Sequence, residues 1–331
     1  MQIIIDSDIP FIRGVFEPYA EVSYLKGGEI SASVLGNAEV LIVRTRTRCD
    51  ERLLAGSKVR FIATATIGTD HIDLDYCRRS GIEVFNAKGC NARGVLQWVA
   101  AVLKDVVVAD GRQPGDYKLG VVGVGCVGSL VAEYGRHWGF EVLMCDPPRQ
   151  EREGGDFRDI EELASCCDIL MFHTPYDDTT HHLVDAQLLS LMPRHAVVLN
   201  ASRGGVVDNV AVANSSHRYY FDVWEGEPNI EPRVLNGSVL ATPHVAGYSL
   251  QGKANATSLV VNAVAKFLGL PISGWYPSEV SPTKVQLIGW QEMCDTIDDY
   301  YPISEESRRL KNHPEEFEQM RNAYDYRVEY F

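Results

Sequence analysis

The stretch 118–146 constrains the fold most, because three glycines in GxGxxG spacing stand between two apolar runs. The first run, 119–122, has the composition of a buried parallel strand, and apolar residues at helical spacing follow the third glycine. The second run, 142–145, predicts another strand and leads directly into Asp146. This order of strand, glycines, helix, strand and acid is typical of a dinucleotide-binding unit.

Each residue of that pattern suits dinucleotide binding for a physical reason. Gly123 permits the tight turn out of the strand, Gly125 lets a pyrophosphate approach the backbone, and Gly128 lets helix and sheet pack closely. The helix N-terminus offers unpaired N–H groups to phosphates. Asp146 is placed to accept hydrogen bonds from ribose hydroxyls and would repel a 2′-phosphate, so the pattern predicts NAD rather than NADP, with Arg149 nearby softening that preference. The alternative is a purely structural glycine-rich turn.

Composition narrows the function classes. A chain of 331 residues exceeds one ordinary domain, and no apolar run approaches the roughly 20 residues that span a bilayer. The first residues lack the basic region of a secretion signal. Eight scattered cysteines without a CxxC pair indicate reduced thiols in a cytoplasmic protein. A net charge of −14 argues against nucleic-acid and anionic-membrane partners, but not against a small anionic substrate.

Apolar runs alternating with helical patterns continue on both sides of the glycines, and they predict two doubly wound parallel sheets of the Rossmann-like α/β class. The predicted strands are 3–5, 40–43, 61–65 and 82–85 before the glycines, and 119–122, 142–145, 168–172, 196–199, 219–221 and 239–241 from there on. A helix is predicted over 253–268. The remaining tail, with one helical stretch near 314–324, is interpreted as a module for self-association or for capping the active site.

Three features of the first predicted domain bear on binding. Arg44, Arg46 and Arg48 alternate, so an extended backbone would place them on one face, as an anion site or equally as a solvated edge. The backbone N–H groups of 66–68 could hold a carboxylate, with a plain turn as the alternative. The acids and histidine of 70–73 suit a helix N-terminus better than a metal site, and no metal is expected.

Polar residues follow the strands of the second predicted domain, where α/β proteins bind ligands. Thr174 follows one strand, Arg203 the next, Asp222 and Glu227 a third, and His244 the last. Because the carboxyl ends of parallel strands share one edge, a convergent polar set beside a cofactor turn is predicted to be the active site.

Over about residues 1–270 the chain resembles the NAD-dependent D-2-hydroxyacid dehydrogenases. Four motifs carry the resemblance: GVGCVG with its downstream Asp146, NASRGGVVD, DVWEGEP and TPHVAGYS. The resemblance implies a catalytic trio of Arg203, Glu227 and His244. These residue types suit the oxidation of a 2-hydroxy acid. A histidine can accept the hydroxyl proton, a carboxylate can orient and stabilise the imidazolium, and a guanidinium can bind the substrate carboxylate.

The resemblance also implies binding residues. NAD would contact Gly123, Gly125, Cys126, Val127, Gly128, Asp146, Thr174, Ala201, Ser202, Arg203, Asp222 and Gly247, with Asp222 meeting the nicotinamide amide. Substrate would contact Thr45, Thr66 and Tyr248. A phosphorylated substrate needs cations, and our own hypothesis is that Arg44 or Arg46 supplies one.

The segments TATIGTDHID, KGCNA, MCDPPR and HVAGYSLQGKA resemble one branch of this family. It implies oxidation of the 2-hydroxyl of 4-phosphoerythronate in pyridoxal 5′-phosphate biosynthesis, by a cytoplasmic homodimer. The predicted domains are then 1–92 with 250–272 for substrate, 93–249 for NAD, a cleft between them, and 273–331 for dimerisation. Another D-2-hydroxyacid dehydrogenase, for instance one acting on 3-phosphoglycerate, and a non-catalytic NAD(H)-sensing corepressor remain as alternatives.

Overall fold

The computed structural model describes all 331 residues, and the chain divides into two compact units. The first consists of Met1–Asn91 and Leu250–Pro282, and the second of Ala92–Ser249 and Thr283–Phe331. The predicted module 273–331 does not form a unit by itself. Its first ten residues group with the first unit, and the rest groups with the second.

The first unit is built on a five-stranded parallel sheet with the order β2-β1-β3-β4-β5. Its strands are β1 (Gln2–Asp6), β2 (Glu21–Leu25), β3 (Val40–Val43), β4 (Phe61–Thr64) and β5 (Glu83–Asn86). The sequence analysis missed β2, because this strand at the sheet edge is only half-buried and its composition is mixed. The other four strands are confirmed.

Helices cover both faces of this sheet. Short helices span Ala32–Leu35, Glu51–Leu54 and Leu74–Arg79, and a long one spans Leu250–Leu268. Alternate residues of β1 separate two apolar clusters: Ile4 packs with the short helices, while Ile3 and Ile5 pack with Val260 and Val264 of the long helix. Asp73 caps the helix Leu74–Arg79 by accepting from the Tyr76 amide at 2.8 Å, as predicted for the acids of 70–73.

The second unit contains a six-stranded parallel sheet with the order β11-β10-β9-β8-β6-β7. Its strands are β6 (Lys118–Val122), β7 (Glu141–Cys145), β8 (Ile169–Phe172), β9 (Val197–Asn200), β10 (Arg218–Phe221) and β11 (Leu240–Ala241). All six were predicted. The strand order reverses direction at β6, where the glycine turn begins, and ligands of such sheets bind at this kind of switch point.

Helices flank the second sheet as well. They span Ala92–Asp110, Cys126–His137, Pro147–Glu153, Ile160–Cys166, Ala186–Leu191, Asn209–Asn214, Pro232–Gly237, Trp290–Tyr300, Ile303–Asn312 and Phe317–Asn322. Thirteen of the nineteen residues of Ala92–Asp110 are buried, which explains its nearly uniform apolar composition. None of the helices combines the length and apolar character that crossing a membrane requires.

The tail differs from the sequence-based expectation of a single helical stretch near 314–324. It contains three helices, and the last is the shorter Phe317–Asn322 after a 3-10 turn at Pro314–Glu316. Met293 and Ile297 pack into the same apolar cluster as Trp98, and Phe331 is fully buried there. Polar and charged residues predominate in these helices, so composition does not predict a core role, and only packing reveals that the tail completes the core of the second unit.

Candidate active site

The carboxyl ends of all six strands of the second sheet lie along one edge, because every pairing is parallel. The glycine turn follows β6, Asp146 follows β7 and Thr174 follows β8. Further along, the segment 201–203 follows β9, Asp222 follows β10 and His244 follows β11. The predicted polar set therefore does share one edge of one sheet.

The glycine turn has the geometry that a phosphate group requires. Gly123 adopts φ +84°, and a Cβ on Gly128 would lie 2.0 Å from the Gly123 carbonyl oxygen, so neither position accepts a side chain. A Cβ on Gly125, in contrast, would meet no atom within 4 Å. Helix Cys126–His137 begins directly after Gly125, with the predicted contacts Cys126 and Val127 in its first turn. Open space thus faces unpaired N–H groups.

Asp146 stiffens this turn. One carboxylate oxygen accepts from the Val124 amide at 2.8 Å, and the other accepts from the Arg149 amide at 2.9 Å. Arg149 donates to the Val124 carbonyl at 2.8 Å and pairs with Glu153 at 2.7 Å. Each oxygen of Asp146 keeps a lone pair that could accept from a ribose hydroxyl.

Two buried polar atoms beside the turn lack partners within the protein. They are Oγ1 of Thr174 and Nε2 of His173, in the segment that follows β8. A Cβ on Gly123 would lie within 3 Å of the His173 carbonyl group, so this segment borders the glycine turn directly. Buried polar atoms are normally satisfied, and an unpaired hydroxyl at this edge fits a site that a dinucleotide completes.

His244 and Glu227 are in direct polar contact at this edge. His244 Nδ1 lies 2.5 Å from Glu227 Oε1, and a second Glu227 oxygen accepts from the Trp224 amide at 3.1 Å. Burial alone would raise the pKa of Glu227, but the hydrogen bond and charge of His244 together bring it below its ordinary value. The carboxylate is therefore ionised at neutral pH and fixes a proton on Nδ1, which leaves Nε2 as an acceptor.

Arg203 is held on a rigid loop after β9. The Asn200 side chain donates to the Arg203 carbonyl at 2.9 Å and accepts from the Ser202 amide and hydroxyl. Arg203 Nη1 donates to the Ser202 carbonyl at 2.8 Å. Ala201 and Ser202, both predicted NAD contacts, lie on the same loop. This network orders the loop that carries the Arg203 guanidinium.

Asp222 has a second role that sequence reasoning missed. Its carboxylate is 1% exposed and accepts from the Val245 amide at 2.8 Å, the Ala246 amide at 3.0 Å and the Thr242 hydroxyl at 2.6 Å. Its carbonyl accepts from the His244 amide at 2.7 Å, and His244 adopts φ +57°. Asp222 therefore shapes the segment that presents His244 and Gly247.

The structure corrects the interpretation of the three alternating arginines. Residues 44–47 form a turn, in which the Thr47 amide donates to the Arg44 carbonyl at 3.2 Å. Arg44 donates to the Asp8 carbonyl at 3.1 Å, and Arg48 pairs with Asp50 at 3.1 Å. They do not share one extended face, because the strand ends at Val43. Thr45 and Arg46 occupy the exposed tip of the turn.

Thr66 lies in the turn after β4. Its hydroxyl is 2.7 Å from that of Thr64 and donates to the Gly68 carbonyl at 3.1 Å. The Thr64 hydroxyl is in turn 3.2 Å from Nε2 of His71. These bonds order the turn for which a carboxylate-binding role is predicted.

Tyr248 lies on the segment after His244, and the tail provides it with a cationic neighbour that sequence reasoning missed. Burial alone would lower the pKa of Arg321, but the nearby Tyr248, Glu227 and Glu318 raise it. Arg321 pairs with Glu318 at 3.2 Å. No local sequence signal distinguishes this arginine, since it stands among many charged residues of the tail.

The chain matches the family model for the NAD-binding domain of D-isomer specific 2-hydroxyacid dehydrogenases over residues 95–246. It is 40% identical to a protein of Bacteroides thetaiotaomicron named erythronate-4-phosphate dehydrogenase, over 99% of this chain and 97% of that relative. It is 43% identical to the Azotobacter vinelandii protein of the same name, over 82% of this chain and 74% of that relative.

Among solved structures, this chain is similar to an NAD⁺-bound 3-phosphoglycerate dehydrogenase of Entamoeba histolytica, with a TM-score of 0.69 and 25% identity over 81% of this chain and 95% of that one. A D-lactate dehydrogenase of Aquifex aeolicus, complexed with NAD and lactic acid, gives a TM-score of 0.66 at 24% identity, over 81% and 95% of the two chains. The similarity to the D-lactate dehydrogenase supports the fold alone.

Proposed function

Because this chain belongs to the erythronate-4-phosphate dehydrogenase family of the D-isomer specific 2-hydroxyacid dehydrogenases, we propose that it oxidises 4-phosphoerythronate at its 2-hydroxyl with NAD. The product is the 2-oxo acid, and the reaction is a step in pyridoxal 5′-phosphate biosynthesis. One observation carries the assignment of chemistry. The His244–Glu227 pair, 2.5 Å apart, lies on the same sheet edge as the glycine turn.

His244 is the proposed base. With Nδ1–H donated to Glu227, its Nε2 accepts the proton of the substrate 2-hydroxyl as the carbon–hydrogen bond breaks. The ionised Glu227 carboxylate then stabilises the imidazolium that forms. Running in reverse, the same pair returns the proton to the oxygen of a 2-oxo acid.

Arg203 is proposed to bind the substrate carboxylate and to polarise the oxygen at C2, since a guanidinium presents a planar fork of donors. NAD, when bound, accepts the hydride from C2. We assign its pyrophosphate to the turn of Gly123, Gly125 and Gly128 and its adenosine ribose to Asp146. The unpaired Thr174 hydroxyl provides a further donor to the cofactor.

The remaining assignments are part of the same proposal. The unit Ala92–Ser249 with Thr283–Phe331 would bind NAD, and the unit Met1–Asn91 with Leu250–Pro282 would supply the substrate contacts Thr45 and Thr66. Tyr248 would contact the substrate as well. The family resemblance implies a homodimer, and the scattered cysteines suggest a cytoplasmic location. Sedimentation equilibrium of the purified protein tests the homodimer.

The activity is tested by following NADH formation with 4-phosphoerythronate, 3-phosphoglycerate and D-lactate in parallel. Each assay is run with and without a 2-oxo acid acceptor, so that cofactor retained by the enzyme does not hide turnover. We expect strong preference for 4-phosphoerythronate, abolished in His244→Ala. Preference for another hydroxy acid would support the proposed mechanism but exclude 4-phosphoerythronate as the substrate. NADH binding without any turnover would favour a non-catalytic NAD(H)-sensing corepressor.

A further inference from the structure

We propose that Arg327, in the C-terminal tail, is a positioning residue that holds the catalytic His244 segment in place. The segment consists of residues 244–249, and it carries His244, the predicted NAD contact Gly247 and the predicted substrate contact Tyr248. In chain order it lies about 80 residues before Arg327, and both belong to the second unit.

Arg327 binds the carbonyl groups of this segment directly. Its Nη1 donates to the Val245 carbonyl at 3.0 Å, and its Nη2 donates to the Ala246 carbonyl. Nη2 also donates to the Gly94 carbonyl at 2.9 Å, which ties the segment to helix Ala92–Asp110. The first two carbonyls belong to the two residues that follow the base.

The backbone of the same two residues is also held by Asp222, which accepts from the amides of Val245 and Ala246. A buried carboxylate therefore takes the N–H groups and a buried guanidinium takes the C=O groups. Arg327 is 8% exposed and Asp222 is 1% exposed, so both sets of bonds are shielded from water. Shielded, charge-assisted bonds of this kind are stronger and more directional than neutral ones.

Neighbouring residues of the tail reinforce the attachment. Ser249 pairs with Arg327 in an isolated parallel bridge, and its hydroxyl donates to Glu329 at 2.6 Å. Glu329 also accepts from Thr283 at 2.6 Å. Both ends of the His244 segment are thereby joined to the last residues of the chain.

Arg327 is itself fixed by its surroundings. Its guanidinium lies 4.0 Å from the ring centre of Tyr301 and donates to the Tyr324 hydroxyl at 2.9 Å. Tyr324 and Tyr301 both donate to Glu306, at 2.6 and 3.2 Å. A lysine could keep the charge here, but it lacks the planar fork that reaches several carbonyls at once.

A cavity of about 440 Å³ adjoins this network, with Pro243, Tyr301, Glu306 and Arg327 among the residues of its lining. It gives a small planar cation a path to the space that Arg327→Ala would leave. Arg309 lines the same cavity, but it pairs with Glu316 at 3.0 Å, and no bond to the His244 segment involves it. Arg309→Ala is therefore a matched control.

The kinetic test compares the full-length enzyme with Arg327→Ala, Arg327→Lys and Arg309→Ala. We expect kcat to fall about 10²-fold in Arg327→Ala, as for a misplaced catalytic group, with a smaller change in KM for 4-phosphoerythronate. Guanidinium chloride should restore part of that kcat, whereas sodium chloride of equal ionic strength should not. The kcat of Arg327→Lys should lie between those of the parent and Arg327→Ala, and the kcat of Arg309→Ala should match that of the parent.

A second readout does not depend on substrate, because the kinetic one rests on the proposed function. The proton between His244 Nδ1 and Glu227 should give a low-field NMR signal in the parent and lose it in Arg327→Ala. Thermal melting and circular dichroism verify that each variant is folded, and Arg327→Lys serves if the alanine variant is not. A folded variant at Arg327 with parental kcat and the parental signal would overturn the proposal, while an inactive parent that keeps the signal would overturn only the proposed substrate.

Discussion

At the scale of single residues, the turn after β3 offers a test of how the substrate phosphate is bound. Arg46 lies at the exposed tip of the turn beside Thr45. We expect Arg46→Ala to raise KM for 4-phosphoerythronate by about tenfold, the effect of losing roughly 1.4 kcal/mol of charge-assisted binding. Arg48→Ala is the control, because its side chain is 82% exposed and pairs with Asp50. Equal KM values in the parent and Arg46→Ala would remove Arg46 from this role.

The charge of Glu227 is testable at the same scale. Glu227→Gln keeps the size of the side chain but removes the negative charge that faces His244 Nδ1. We expect kcat to fall about 10²-fold or more, because the imidazolium formed during oxidation is no longer stabilised. NADH affinity, measured by fluorescence titration, should stay close to that of the parent. A variant with full kcat would show that the pair is structural.

At the scale of elements, the strand–turn–helix unit separates cofactor binding from folding. Gly128→Ala places a methyl group 2.0 Å from the Gly123 carbonyl oxygen, so the helix must shift and the melting temperature should fall by several degrees. Gly125→Ala meets no protein atom, so its melting temperature should match that of the parent. NADH binding should nevertheless weaken in Gly125→Ala, because the methyl group points into the space assigned to the pyrophosphate. Unchanged NADH affinity there would place the phosphates elsewhere.

At the scale of the whole molecule, His173 couples folding to pH. Burial lowers the pKa of His173 to about 4, against about 6.5 in an unfolded chain. Below pH 6.5 the unfolded chain therefore binds a proton that the folded protein does not, and stability is lost as the pH falls towards 4. Between pH 6.5 and 5 this costs about 1–2 kcal/mol.

Guanidinium unfolding of the parent and His173→Asn at both pH values measures this coupling. The variant should lose less of its free energy of unfolding over the interval, whatever its absolute stability. His71, whose pKa burial also lowers, remains in both proteins and contributes equally to each. Parallel pH dependences would show that the His173 ring becomes protonated without unfolding.

Much of this organisation was readable from local patterns. Ten of the eleven strands follow from apolar runs, because most strands of these sheets are buried on both faces and are apolar in composition. The polar edge follows as well, since parallel strands place their carboxyl ends together. The missed strand β2 is half-buried. The missed helices Trp290–Tyr300 and Ile303–Asn312 bury only two and three side chains, and most of their other residues are polar or charged, so their overall apolar content is low.

The sequence by itself determined the two sheets, the glycine turn and the residue types of the trio, since each depends on neighbours within a few positions or on a motif. Only the tertiary structure decided what holds those residues in place. The carboxylate of Asp222 and the guanidinium of Arg327 both bind the backbone of Val245 and Ala246, which are far from both in sequence. Burial makes those bonds strong. Because burial depends on packing over the whole unit, no local sequence pattern predicts it.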